Sequence, residues 1–148
     1  MQPEGTQTSR QEIPDRFGGI ARLYGRDAFH TFQRARVAVI GVGGVGSWAA
    51  EALTRSGIGD ITLLDMDDIC VSNTNRQVHT LRSTVGQQKV EAMRERLLQI
   101  NPDCRVSDRS LFVTAANVAK ELAGMDYVID AIDSVRNKCA IIHHCQRH

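Results

Sequence analysis

Arg36-Val37-Ala38-Val39-Ile40 is a short apolar, β-branched run that empties directly into Gly41-Val42-Gly43-Gly44-Val45-Gly46. Ser47 to Leu53 then reads as helix, and a second apolar run, Ile61-Thr62-Leu63-Leu64, ends on Asp65. Strand, glycine turn, helix and acid-capped strand in this order form the βαβ unit of a nucleotide-binding fold. Gly41 permits the tight exit from the strand. Gly43 or Gly44 lets backbone approach phosphate oxygens, and Gly46 lets the helix lie close to the sheet. Free N–H groups at the helix start, aided by the helix dipole, then face an anion. Asp65 follows at about the twenty-residue separation of a carboxylate that accepts hydrogen bonds from a ribose. A glycine turn that merely packs a helix on a strand is the plain alternative, and the flanking strands and the acid weigh against it.

The rest of the chain extends the pattern. Residues 1–12 are polar and aperiodic and read as a disordered tail, so a single domain is expected over residues 13–148. Helical stretches are expected around Ile20 to Tyr24 and Asp27 to Gln33, with Arg16, Arg22 and Arg26 ahead of the first strand. Those arginines are either a solvated face or a source of one guanidinium for a phosphate, in this subunit or a neighbour. The polar loop from Asp67 to His79 is longer than a redox dinucleotide fold needs before its next helix. Val90, Met93, Leu97 and Ile100 recur at helical spacing, predicting a helix over Val85 to Ile100 with Lys89 near its start. A cation there opposes the helix dipole, so Lys89 either has an anionic partner or lies exposed. A third strand is expected over Cys104 to Ser110, a short helix over Ala115 to Ala123, and a fourth strand over Tyr127 to Asp133. The expected fold is α/β, Rossmann-like and doubly wound, a mainly parallel sheet with helices on both faces.

Strand C-termini are where open α/β sheets bind ligands, so Asp65, Asp133 and the glycine turn should share one rim with Arg76 and Lys89. A dinucleotide pyrophosphate needs little beyond the glycine turn. A nucleoside triphosphate carries about four negative charges with magnesium and calls for added cations and a carboxylate for the metal. The inventory fits the triphosphate, with Asp133 as the metal candidate, or else as the cap of a helix beginning near Ser134.

Other chemistries are weakly supported. Net charge is +1, so no global field draws the chain to nucleic acid or a membrane, and an RNA partner needs a local patch. No run is long enough to cross a bilayer and no signal peptide is present in these residues, so a cytoplasmic setting is expected. Cys70, Cys104, Cys139 and Cys145 lack a paired motif and read as reduced thiols. Cys139, His143, His144, Cys145 and His148 sit on two divergent helix faces, which disfavours a four-donor metal site. The helical Asn137–His148 stretch has no strand after it, so these residues are expected to be the front part of a longer protein.

Taken together, the glycine turn, Asp65 with Asp67, Ser72-Asn73-Thr74-Asn75-Arg76-Gln77, Lys89 and Asp130-Ala131-Ile132-Asp133 resemble the ubiquitin-activating-enzyme superfamily in its bacterial ThiF/MoeB branch. Within it, Arg16-Phe17-Gly18-Gly19-Ile20-Ala21-Arg22-Leu23-Tyr24-Gly25 resembles the opening of the tRNA threonylcarbamoyladenosine dehydratases. The resemblance implies an ATP-binding domain and a homodimer. Asp65 would bind the ribose, Gly41, Gly43, Gly44 and Gly46 would form the phosphate turn, and Asn73, Arg76 and Lys89 would hold the triphosphate with Gln77 beside them. Asp133 would bind Mg2+, a monovalent cation being a further possible ion. The branch sends an N-terminal arginine to the partner's ATP; its matching position is Gly19 here, which leaves Arg22 as the nearest candidate.

The implied reaction is ATP-dependent cyclisation of threonylcarbamoyladenosine in tRNA through carboxylate adenylation, with a cysteine desulfurase or sulfur-transfer protein as a possible partner. The competing expectations are adenylation of a sulfur carrier's C-terminal glycine, an NAD-binding module, and an inactive nucleotide-binding scaffold.

Overall fold

The computed structural model describes residues 12–148. The tail expected over residues 1–12 therefore falls, apart from Glu12, outside the described residues. A 3-10 turn, Asp15–Phe17, leads into helices α1 (Gly18–Tyr24) and α2 (Arg26–Arg34). The βαβ unit follows as β1 (Arg36–Ile40), α3 (Gly46–Arg55) and β2 (Asp60–Leu64). After a long loop come α4 (Lys89–Ile100), β3 (Arg105–Arg109), α5 (Val118–Glu121), β4 (Tyr127–Asp130) and α6 (Val135–Cys145).

The four strands form one parallel sheet in the order β3-β2-β1-β4. Both faces are covered, which is why β1 and β2 are buried at every position after the first and do not alternate. Val37, Val39, Ile61 and Leu63 pack on one side with Ala50, Val90, Met93 and Leu97 of α3 and α4. Ala38, Ile40 and Leu64 pack on the other with Val113, Val118, Leu122 and Ile141. Each buried side chain of this size contributes about 1.5–3 kcal/mol, so the central strands anchor the rim that follows them. No helix of the described residues is long and apolar enough to cross a membrane.

The strand order positions the site. From β1 the chain steps to β2 and β3 on one side, then returns to place β4 on the other. Ile40 is level with Leu64 and with Asp130, so the three strands end along one edge. The winding direction changes between β1 and β4, the place where an open α/β sheet forms its ligand crevice.

Three boundaries differ from the sequence-based expectation. The helix expected from Val85 starts at Lys89, because Gly86 takes φ +89° and the 86–87 backbone pairs with Ile69 instead: Gly86 N–H donates to the Ile69 carbonyl and Ile69 N–H to that of Gln87. The short helix expected over Ala115 to Ala123 is one turn, Val118–Glu121. The fourth strand stops at Asp130, where the sheet register ends, so Asp133 lies in a loop.

Candidate active site

Gly41 leaves β1 with φ +85°, and a Cβ there would sit 2.9 Å from the Ala131 carbonyl oxygen. Gly46 is more constrained still, because a Cβ on it would overlap the Gly41 carbonyl. Between them the turn is pinned by its neighbours. Gly41 N–H donates to the Leu64 carbonyl at 2.8 Å, and Ser47 N–H to that of Gly43 at 3.1 Å. Val42 N–H donates to Asp65 Oδ2 at 2.6 Å.

Around this turn opens a cleft of about 600 Å³. Gly41, Gly43 and Gly44 form one wall, and Ala131, Ile132 and Asp133 the facing one. Asp65, Asp67, Asn73, Arg76, Gln77 and Lys89 complete the polar lining, while Leu111, Phe112 and Val113 supply an apolar side. The structure thus brings together the sequence-predicted site residues with two exceptions, Gly46 and Arg22. Gly46 is buried beneath the turn, where it sets the helix approach. Arg22 does not line this cleft; its guanidinium lies beside Gly18 and Gly19.

The local chemistry is more specific than an inventory. Asp65 braces the turn through Val42, and its other oxygen accepts from Asp67 N–H at 2.8 Å. A carboxylate has acceptor capacity beyond two bonds, so a ribose hydroxyl can still be accommodated. Lys89, buried at the first position of α4, places Nζ 2.8 Å from Asp67 Oδ2, and its N–H donates to the Asp67 carbonyl. The anionic partner demanded by a cation at a helix start is this carboxylate, and the exposed-lysine alternative is excluded.

Arg76 lays its methylenes against Gly44 and donates from Nη1 to the Ser72 carbonyl and to Asn75 Oδ1. Its charge has no carboxylate partner among the described residues. Asn73 is buried and accepts from Cys70 N–H at 2.9 Å, holding the loop's short 3-10 turn. Asp133 is exposed to the cleft and makes no hydrogen bond or ion pair among the described residues. The helix-capping alternative for Asp133 fails, since α6 is preceded by Ser134 and receives no side-chain cap.

The lining therefore carries three carboxylates against two cations, with one carboxylate unpartnered among the described residues. That balance suits a phosphate chain accompanied by a divalent cation better than a bare anion. The glycine cradle suits the phosphates, and the volume suits a nucleotide. The cysteines stay outside the cleft lining. Cys104 is buried, which pushes its thiol up to about 11. Near the chain end the His144 and His148 rings stack 4.5 Å apart, and no metal-holding group of three or more His, Cys, Asp or Glu occurs among the described residues.

One buried residue escaped the sequence reading. His79 donates from Nε2 to the Val42 carbonyl at 2.8 Å. Its ring is held below its ordinary value of 6.5, first by burial and further by the Lys89 and Arg96 charges. His79 ends the polar loop that begins at Asp67, where no periodic apolar pattern signals burial.

A family model described as the ThiF family matches residues 19–148. The chain belongs to this family. It is 61% identical over 134 residues to the tRNA threonylcarbamoyladenosine dehydratase of Escherichia coli, the match covering 90% of this chain and 50% of that protein. A crystal structure of the E. coli dehydratase TcdA in complex with ATP is similar, with a TM-score of 0.89 at 60% identity over 92% of this chain and 58% of that one. The E. coli molybdopterin-synthase adenylyltransferase is 36% identical over 78% of this chain and 47% of its own length. The chain thus spans about half the length of the curated relatives it matches.

Proposed function

We propose that residues 13–148 form the ATP-binding domain of a carboxylate-adenylating enzyme, and that the acid it activates is the threonyl carboxylate of threonylcarbamoyladenosine in tRNA. The observation that carries the reading is the cleft itself, where the glycine turn, Arg76, buried Lys89 and unpartnered Asp133 face one another. The identity to the E. coli dehydratase, well above that to the molybdopterin-synthase adenylyltransferase, supports tRNA as the substrate.

In this reading a carboxylate oxygen of the substrate attacks the α-phosphorus of ATP. The bond to the bridging oxygen breaks, pyrophosphate leaves, and an acyl-adenylate results. The carbamoyl group of the same nucleoside then attacks the activated carbonyl, loses a proton and expels AMP, closing a ring with net loss of one water. The turn N–H groups and Arg76 stabilise charge on the phosphates, and Lys89 trades Asp67 for a phosphate oxygen. Asp65 orients the ribose. Asp133 would hold magnesium, which when bound would supply charge neutralisation at the phosphates. No protein nucleophile is needed for ring closure, consistent with cysteines that do not line the cleft.

A homodimer would give Arg22 a role toward the ATP of a neighbouring copy, and a tRNA substrate makes the cytoplasm the working compartment. Arg76, Lys89 and Asp133 on one rim favour a triphosphate over a redox dinucleotide. The test is to incubate the full-length protein with ATP and tRNA bearing threonylcarbamoyladenosine. AMP and a nucleoside lighter by one water are expected. Pyrophosphate released only with a sulfur-carrier protein would move the assignment to carrier adenylation, and tight NAD binding in place of ATP would overturn both.

A further inference from the structure

Three hydrogen bonds stitch the segment that carries Arg76 to the glycine turn and the helix after it. Trp48 Nε1–H donates to the Arg76 carbonyl at 2.9 Å, and Val78 N–H donates to Ser47 Oγ at 3.3 Å. The third runs from His79 Nε2 to the Val42 carbonyl at 2.8 Å. This last bond is the one that reaches the turn itself, and it is buried, His79 being 1% exposed and Val42 0%.

A carbonyl can only accept, so the hydrogen must reside on Nε2. That leaves Nδ1 as a buried acceptor with no partner, which is how the structure shows it. Val42 is consequently gripped at both ends of its peptide groups. Its N–H is taken by Asp65 from the end of β2, and its carbonyl by His79 from the Arg76 loop. The turn cannot shift relative to Arg76 without breaking a buried bond.

We propose that His79 is a positioning residue for the nucleotide: its neutral ring fixes the glycine turn against the Arg76 segment, so that turn N–H groups and guanidinium address the same phosphates. The inference rests on the nucleotide reading of the cleft. His79 does not line the cleft and touches no phosphate; it acts through Val42. Three charges bear on the ring, Lys89 and Arg96 from α4 and Asp65 from the end of β2.

The test compares His79→Gln with His79→Leu in the full-length protein, measuring ATP affinity directly and the unfolding midpoint in parallel. Glutamine can place an amide N–H near the Nε2 position, whereas leucine offers no donor and leaves the Val42 carbonyl unpaired. A purely structural bond would lower the unfolding midpoint of His79→Leu, its Val42 carbonyl being left unpaired, while the folded variant kept wild-type ATP affinity. The positioning role instead ranks affinity by the donor. Leucine should weaken ATP binding about tenfold, the scale of one orphaned buried acceptor, and glutamine should restore it to within about threefold. Leucine binding ATP as tightly as wild type, or glutamine binding as weakly as leucine, overturns the inference while leaving the ATP site standing. A wild-type protein that binds no ATP overturns the nucleotide reading and this inference with it.

Discussion

Replacing Asp67 by Asn should loosen the empty protein and tighten its grip on ATP. Lys89 Nζ is 2.8 Å from the Asp67 carboxylate, with the lysine side chain 8% exposed and the aspartate 56%. Removing one partner of a fully buried ion pair costs about 3–5 kcal/mol, and an exposed pair contributes at most about 1 kcal/mol. This pair is buried at one end only, and the Asn amide oxygen can still accept from the ammonium. The loss should therefore be about 1–2 kcal/mol, or about 3–6 °C in the melting midpoint for a domain of this size. In the proposed site a phosphate that takes the Lys89 ammonium competes with Asp67 for it. The variant has less to displace, so ATP affinity should rise about fivefold to thirtyfold. Thermal unfolding with and without ATP, together with titration calorimetry, reads both effects. An unchanged midpoint in the absence of nucleotide would show that Lys89 needs no countercharge. Weaker ATP binding would show that Asp67 helps to hold the nucleotide or its cation, contrary to the competition inferred from the geometry.

Other substitutions separate scaffold from chemistry. Gly46→Ala drives a methyl into the Gly41 carbonyl, so chemical denaturation should show a loss of more than about 3 kcal/mol; a loss below 1 kcal/mol, about the ordinary scale of substitution, would refute the close approach. Asp133→Asn removes an exposed carboxylate with no partner among the described residues, so stability should change by less than about 0.5 kcal/mol. Its ATP-to-AMP turnover should nonetheless fall at least about tenfold, and normal turnover across a magnesium titration would remove Asp133 from the site. Acidification should weaken the fold in two stages. His79 is held below its ordinary value of 6.5, so the unfolded chain takes up the proton first and stability declines as pH falls from 6.5 toward the lowered value. Glu51 is held below 4.5, chiefly by its hydrogen bond from Arg96, so its contribution is complete above 4.5 and lost on further acidification. Urea midpoints across pH should lose the upper stage in His79→Gln and the lower in Glu51→Gln; identical profiles would contradict the burial of these groups.

What could be read from the chain was whatever is encoded locally. Arg36 to Leu64 announces its strands and helix because two covered sheet faces demand unbroken apolar runs and the turn demands glycine at Gly41 and Gly46. The polar residues of the cleft could be gathered in advance because parallel strands bring their C-terminal ends to one rim. The start of α4 is not legible locally, because the backbone of Ile69, remote in sequence, captures Gly86 and Gln87. The apolar pattern that predicts strand through Asp133 runs past the point where β1 stops offering partners. The links from Asp67 to Lys89 and from His79 to Val42 span 22 and 37 residues. No periodicity reports contacts at such separations.

The placement of β4 has a consequence for biosynthesis. Its first contact with the sheet edge joins Arg36 to Asp126, 90 residues apart in sequence, and the wall formed by Ala131 to Asp133 is translated later still. A nascent chain emerging from the ribosome can assemble the phosphate cradle from β1, α3 and β2 while the opposite bank of the crevice has yet to be made. During that interval the β1 edge awaiting β4 is bare, so chaperone engagement should be concentrated in the window before residue 130 emerges.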